Sequence, residues 1–229
     1  MDSNQIILRA RSEGRTMLTE VESKELVLGA GIATVETRLA LSQKEAIAIS
    51  KEIGFPVVLK IVSLDIVHKS DIGGVKVGLT SVTGVAKAYR EIMAAARSSY
   101  PKARIDGVSV QKMVGSGVEV IIGMSKDPQF GPVIMFGLGG ILVELLKDVS
   151  FRVVPLNRRD AAEMIREVKG YPLLDGYRGR ERVNVALLEE MILRVSDLAE
   201  RNPEIKELDL NPVIVGKSSA VAVDARIVL

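Results

Sequence analysis

Strand-like runs in this chain follow one another across connections too short to hold a helix, so part of its sheet must be antiparallel. Gly107–Val114 and Val118–Met124 are separated only by Gly115-Ser116-Gly117, which predicts a hairpin. Near the C-terminus, Ile205–Leu210, Val213–Val215 and Ala220–Asp224 read as another hairpin-like group. Pro56–Val62 is a β-branched run typical of a buried strand, Val75–Leu79 alternates, and Gly131–Leu138 is a further apolar strand. Helical patterns lie between them. Thr19 with Glu22 and Ser42 with Glu45 have capping-box spacing; the first segment runs to Leu28 before Gly29 and Gly31 stop it, and the second ends at Gly54. Val85, Ala88, Tyr89, Ile92, Met93 and Ala96 recur at helical spacing before Pro101, and further helices are expected over about 160–169 and 185–200. Hairpins mixed with helices, without a repeating strand–helix unit, predict an α+β fold.

A chain of 229 residues accommodates one large domain or two small lobes. A break near Lys102–Asp106 divides it into an N-terminal extension (1–17), a first lobe (18–105) and a second lobe (106–229). Ligands often bind between lobes. The formal net charge is +2 with both signs interleaved, and aromatic residues make up 3%, which does not fit a nucleic-acid-binding surface. The absence of cysteine excludes disulfides, thiolate catalysis and cysteine-ligated zinc. The N-terminus lacks a signal-peptide core, and the longest uncharged run, Pro128–Val143, is too short and glycine-rich to span a bilayer. A cytoplasmic protein with no membrane partner is expected.

The richest chemistry lies between Gly54 and Lys76. A lysine inside an apolar strand, Lys60, must aim its ammonium at an anion or at an opening to water. Paired glycines between a loop and a strand, Gly73 and Gly74, allow backbone N–H groups to approach a phosphate closely. With Lys76 these residues could form a triphosphate cradle; a snorkelling lysine followed by an ordinary hairpin fits equally well. His68, the one histidine of the chain, sits in the polar loop between these segments. A neutral imidazole is a good nucleophile toward a phosphoryl group, although a lone histidine is more often structural. Asp209-Leu210-Asn211-Pro212 reads, on composition, as an Asx turn.

The run GFPVVLKIVSLDIVHKSDIGGVKVGL resembles the signature of the ATP-grasp subunit of ADP-forming acyl-CoA synthetases, also called acetate–CoA ligases (ADP-forming). Further matches are QKMVGSGVEVIIGMSKDPQFGPVIMFGLGGILVELLKDVSFRVVPL, ELDLNPVIV and VAVDARIVL, so the likeness extends from about Leu18 to Leu229. A more distant similarity to the succinyl-CoA synthetase β chain shows in Asp209–Pro212 and Val223-Asp224-Ala225. Leu64 departs from the pattern, since the family usually has proline there.

The resemblance implies an ATP-grasp fold of two α/β lobes with ATP or ADP held between them. It implies that Lys60 and Lys76 contact phosphates, that Gln111-Lys112-Met113-Val114 form the adenine hinge, and that Glu119 supplies an acid on the next strand. Asn211 and Asp224 match magnesium ligands, which suits an ion that takes one or two protein oxygens beside phosphate and water. Asp209 matches an acid near the phosphorylated histidine, and His68 matches a second phosphohistidine that relays phosphoryl to ADP. The family's CoA-binding lobe and other histidine loop lie on an α subunit or a fused region, so an α2β2 assembly is implied and this chain is expected to be incomplete alone. Rival readings are an ATP-grasp ligase that forms a free acyl phosphate, which needs no phosphohistidine, and a nucleotide-binding module without catalysis.

Overall fold

The computed structural model describes residues 3–66, 69–140, 147–179 and 181–229. They fall into two compact units, one of Val35–Val114 and one formed by the residues up to Thr34 together with Gly115–Leu229. No helix among the described residues is long and apolar enough to cross a membrane.

The smaller unit is a four-stranded antiparallel sheet, β1 (Thr37–Ala40), β4 (Gly107–Lys112), β2 (Val57–Val62) and β3 (Val75–Leu79) in spatial order, with helices α3 (Gln43–Ile53) and α4 (Val82–Ser99). Alternation along the strands sends Val57, Leu59, Ile61, Val108 and Val110 into one cluster with Ala46 of α3 and Val85, Ala88, Ile92 and Ala96 of α4. The intervening positions, Val58, Lys60, Val62, Ser109 and Gln111, occupy the other face. Ser42 caps α3 by accepting from the Glu45 N–H, and the Glu45 carboxylate accepts in turn from the N–H of Leu41.

In the larger unit a six-stranded sheet runs β10 (Arg226–Val228), β8 (Glu207–Val215), β5 (Val118–Asp127), β6 (Gly131–Leu138) and β7 (Val149–Val153), with β9 (Ala220–Ala222) paired to the far end of β8. Helices α1 (Ser3–Ser12), α2 (Glu20–Gly29), α5 (Arg158–Glu167) and α6 (Val185–Arg201) build the core with it. Ile122 and Val120 of β5, Ile134 and Phe136 of β6, and Leu208 and Leu210 of β8 meet Met164 of α5 and Leu188, Ile192 and Val195 of α6 in that core. Each such side chain contributes about 1.5–3 kcal/mol by leaving water. The reciprocal Thr19–Glu22 capping box opens α2, as its spacing predicts.

Three features depart from the sequence-based expectation. Gly107–Lys112 and Val118–Asp127 do not form a hairpin: β4 has both edges filled by β1 and β2, and β5 has both filled by β8 and β6. A three-residue link permits pairing but does not impose it. Here it carries the chain from one unit to the other, and Gly117 is required because a Cβ there would lie 2.6 Å from Ile214 Cγ2 and 2.7 Å from the Val215 carbonyl. The division between units therefore falls after Val114 and not near residue 106. Residues 1–17 are likewise more than an extension, since Ile6, Ile7 and Ala10 of α1 are buried in the larger core.

Candidate functional site

Each unit carries part of the expected site. In the smaller one Lys60 is centred on β2, opposite Ser109 on one side and Val75 on the other. It is only 6% exposed and shares the sheet face away from α3 and α4 with Gln111, which is 1% exposed.

The rest of the expected phosphate cradle does not assemble around Lys60. Lys76 stands opposite Leu59, so it projects from the helix-bearing face, where its ammonium pairs with Glu91 of α4 at 3.0 Å. The cause is register: antiparallel pairing of Lys60 with Val75 puts the next residue, Lys76, on the opposite side of the pleat. The Gly73 and Gly74 N–H groups are also engaged, donating to the carbonyls of Ser70 at 3.0 Å and Lys69 at 2.8 Å. These glycines serve the turn itself. Gly73 has φ +70, and a Cβ on Gly74 would meet the Lys69 carbonyl at 2.8 Å.

The hinge segment shows a similar division. The Lys112 N–H donates to Glu36 and the Met113 N–H to Pro56, at 3.3 and 3.1 Å, so neither is open to a base. The Lys112 ammonium donates to the Gly54 carbonyl at 2.8 Å and to that of Phe55 at 3.3 Å, closing the C-terminus of α3 with a favourable charge. Of the other hinge residues, Gln111 is buried on the Lys60 face, Met113 is exposed, and Val114 is the last residue of the unit.

The larger unit gathers the acidic residues. Ile122 pairs with Leu210 and Val120 with Val213, leaving Asn211 and Pro212 opposite Ile121 alone. This bulge tolerates a proline, which has no ladder N–H to give, and it turns Asn211 to the surface. The Val223 N–H donates to the Pro212 carbonyl at 2.9 Å, which keeps the segment bearing Asp224 beside the bulge. Asp224 accepts from the N–H of Ala225 at 2.9 Å.

Two residues before the bulge, half-buried Asp209 faces Gly123 on β5 and Arg226 on β10. Burial holds its carboxyl above the usual aspartate range; Arg226 opposes the shift, while Asp224 and Glu207 reinforce it. Asp224 adds to the repulsion at the Asp209 carboxyl and Arg226 opposes it, and the oxygens of Asn211 and Asp224 are of the kind a hard cation takes. Among the described residues no three His, Cys, Asp or Glu side chains cluster as a self-sufficient metal cage. A magnesium ion held jointly with phosphate oxygens needs none.

Glu119, exposed on β5, passes its carbonyl to the Gly139 N–H at 2.7 Å, and its carboxylate lies 3.5 Å from where a Cβ on Gly140 would stand. Arg226 was not among the expected site residues. Its signal was the Asp-x-Arg spacing from Asp224, legible only once β10 is known to pair with β8. His68 lies outside the described residues.

The chain belongs to the ATP-grasp class: it matches the ATP-grasp domain family over residues 9–229. Within that class the chain belongs to the family of ADP-forming acetate–CoA ligase β subunits. It is 50% identical to acetate–CoA ligase [ADP-forming] I subunit beta of Pyrococcus furiosus over 227 residues, covering 99% of this chain and 97% of that one. It is 51% identical over 199 residues to acetate–CoA ligase [ADP-forming] I of Archaeoglobus fulgidus, but the match takes in only 29% of that longer polypeptide. Two solved structures of a Ca. Korarchaeum cryptofilum acetyl-coenzyme A synthetase match over the full length of both chains. One, with coenzyme A, Ca-AMPCP and HgCl+, has a TM-score of 0.98 at 51% identity. The other, with coenzyme A and Mg-AMPPCP and its phosphohistidine segment pointing towards the nucleotide binding site, has a TM-score of 0.89 at 48% identity.

Proposed function

We propose that this chain is the nucleotide-binding β subunit of a cytoplasmic ADP-forming acyl-CoA synthetase, which converts acyl-CoA, ADP and phosphate to carboxylate, CoA and ATP. The observation that carries this reading is full-length likeness to an enzyme solved with both coenzyme A and a magnesium nucleotide. Lys60 and the Gln111–Val114 segment contact the nucleotide, with carbonyl and side-chain groups of that segment serving where its 112 and 113 N–H groups cannot. Glu119 assists from β5. Asn211 and Asp224 hold the Mg2+, which offsets phosphate charge when bound.

His68 carries the phosphoryl group between partners. An imidazole nitrogen of His68 forms a P–N bond as the corresponding bond on an α-subunit histidine breaks. A terminal oxygen of ADP then attacks phosphorus, a P–O bond forms, and the His68 P–N bond breaks to give ATP. Asp209 fixes the imidazole's orientation and tautomer. The CoA-binding α subunit supplies acyl and CoA recognition in an α2β2 assembly.

Reconstitution tests the reading: neither this chain nor its α subunit alone is expected to make ATP from acetyl-CoA, ADP and phosphate, and the mixture is. Full turnover by this chain alone would overturn it. The two lysines give a finer test. Lys60→Met should weaken Mg-ATP binding at least about tenfold, the worth of one charge-assisted hydrogen bond. Lys76→Met should leave that affinity within about twofold with little change in melting temperature, because its partner Glu91 lies on α4 and both side chains are partly exposed. Calorimetric titration of each variant separates them, and equal losses would restore Lys76 to the phosphate site.

A further inference from the structure

The face of the larger sheet turned away from its helices is divided by polarity. One row of cross-strand neighbours runs right across it: Arg226 beside Asp209, Asp209 beside Gly123, Gly123 beside Met135, and Met135 beside Phe151. At the β8 and β10 edge the row is charged. At the β6 and β7 edge it is apolar, and so are its neighbours, with Val133 beside Val153 and Gly137 beside Val149. No position of this face on β6 or β7 bears a polar side chain; the polar residues of β7, Ser150 and Arg152, project to the helix side, where they bond Met164 and Glu167. Phe151 is 56% exposed and Val153 48%, on the outermost strand of the sheet. Single exposed apolar residues are ordinary, but a contiguous stripe on an edge strand marks a surface that is covered in the working protein.

We propose that the stripe formed by Val133, Met135, Val149, Phe151 and Val153 is where the CoA-binding α subunit docks on this chain, an inference that rests on the function proposed above. Two observations select that occupant. In the Archaeoglobus relative the matching region is 29% of one polypeptide, so there the remaining chain is held beside it by covalent linkage. The reaction also requires the partner's phosphoryl group to reach the nucleotide away from water. The stripe and Asp209 lie on one face, three strand spacings apart along the row, or about 14 Å at the usual interval. A partner seated on Met135 and Phe151 covers that interval. Gly123 leaves the row open between them, where a side chain would meet the Met135 methyl at 3.3 Å.

The test measures binding of the purified cognate α subunit to this chain, wild type against Phe151→Asp and Val153→Asp, by calorimetry or sedimentation. Burying an unpaired carboxylate in an apolar contact should weaken association at least tenfold. Mg-ATP affinity and the melting curve of the isolated chain should be unchanged, since both side chains face solvent there. Undiminished association of both variants would overturn the docking surface while leaving the proposed function standing. Failure of the wild-type chain to bind any α subunit would overturn both. If the wild-type chain alone sedimented as a dimer that Phe151→Asp dissolved, the occupant would be a second copy of this chain and the inference would fall.

Discussion

His68→Ala is expected to abolish ATP synthesis by the assembled enzyme while leaving Mg-ATP binding intact. The two effects separate because different groups carry them. In the function proposed above, Lys60 and the oxygens of Asn211 and Asp224 are assigned to nucleotide and metal binding, whereas the imidazole alone is assigned the nucleophile that splits one transfer into two. Removing a covalent nucleophile costs at least about 1,000-fold in turnover, because no remaining group replaces the bond it forms. Labelled Mg-ATP should leave an acid-labile, base-stable phosphoryl group on the wild-type chain and none on the variant. With one histidine in the sequence, a phosphohistidine has a single possible site, and loss of the label in His68→Ala distinguishes it from a phospholysine. A purely structural histidine predicts the reverse: a lower melting temperature with turnover per folded molecule retained. Normal single-turnover transfer by His68→Ala with its α subunit would replace the relay with direct transfer.

Local signals were legible in the sequence wherever a short-range pattern fixes the outcome. The Thr19–Glu22 box and the Ser42 cap open helices where their spacing says, because capping bonds reach only three residues. Pairing partners were not legible, because a strand's neighbours are set by which edges are vacant when the sheet assembles. β4 and β5 are adjacent in sequence and yet join different sheets. The same limit misplaced Lys76. Its type and its distance from Lys60 suggested a shared cradle, but which face a residue takes depends on register, and register is a property of the pair of strands. Composition alone reads Asp209–Pro212 as a turn. In the fold this segment stays within β8, where two residues, Asn211 and Pro212, face one of β5.

Asp209→Asn is expected to stabilise the protein and to slow phosphoryl transfer, and the two effects have one cause. Burial raises the Asp209 carboxyl above the ordinary aspartate range, with Arg226 opposing the shift and Asp224 and Glu207 adding to it. Between the ordinary value and the raised one, the folded chain holds more protons than the unfolded chain, so stability falls as pH rises through that window. Above the window the ionised carboxylate carries its full cost. Asparagine keeps the shape without the charge, so the variant should melt above the wild type at pH 8, with the advantage shrinking as pH falls through the raised value. In the role proposed for Asp209, an amide cannot fix the His68 tautomer as a carboxylate does, and transfer should slow on the order of 100-fold or more. Asp224→Asn also relieves the repulsion, but it should be recognisable by weaker Mg2+ affinity, since it removes the charge of a carboxylate proposed to face the metal rather than the group proposed to steady the imidazole. Melting curves of the wild type and Asp209→Asn from pH 4 to pH 8, beside single-turnover transfer at pH 8, decide the matter. A melting difference that does not change with pH would mean that Arg226 fully compensates the buried charge, and the stability cost assigned to this carboxylate would be withdrawn.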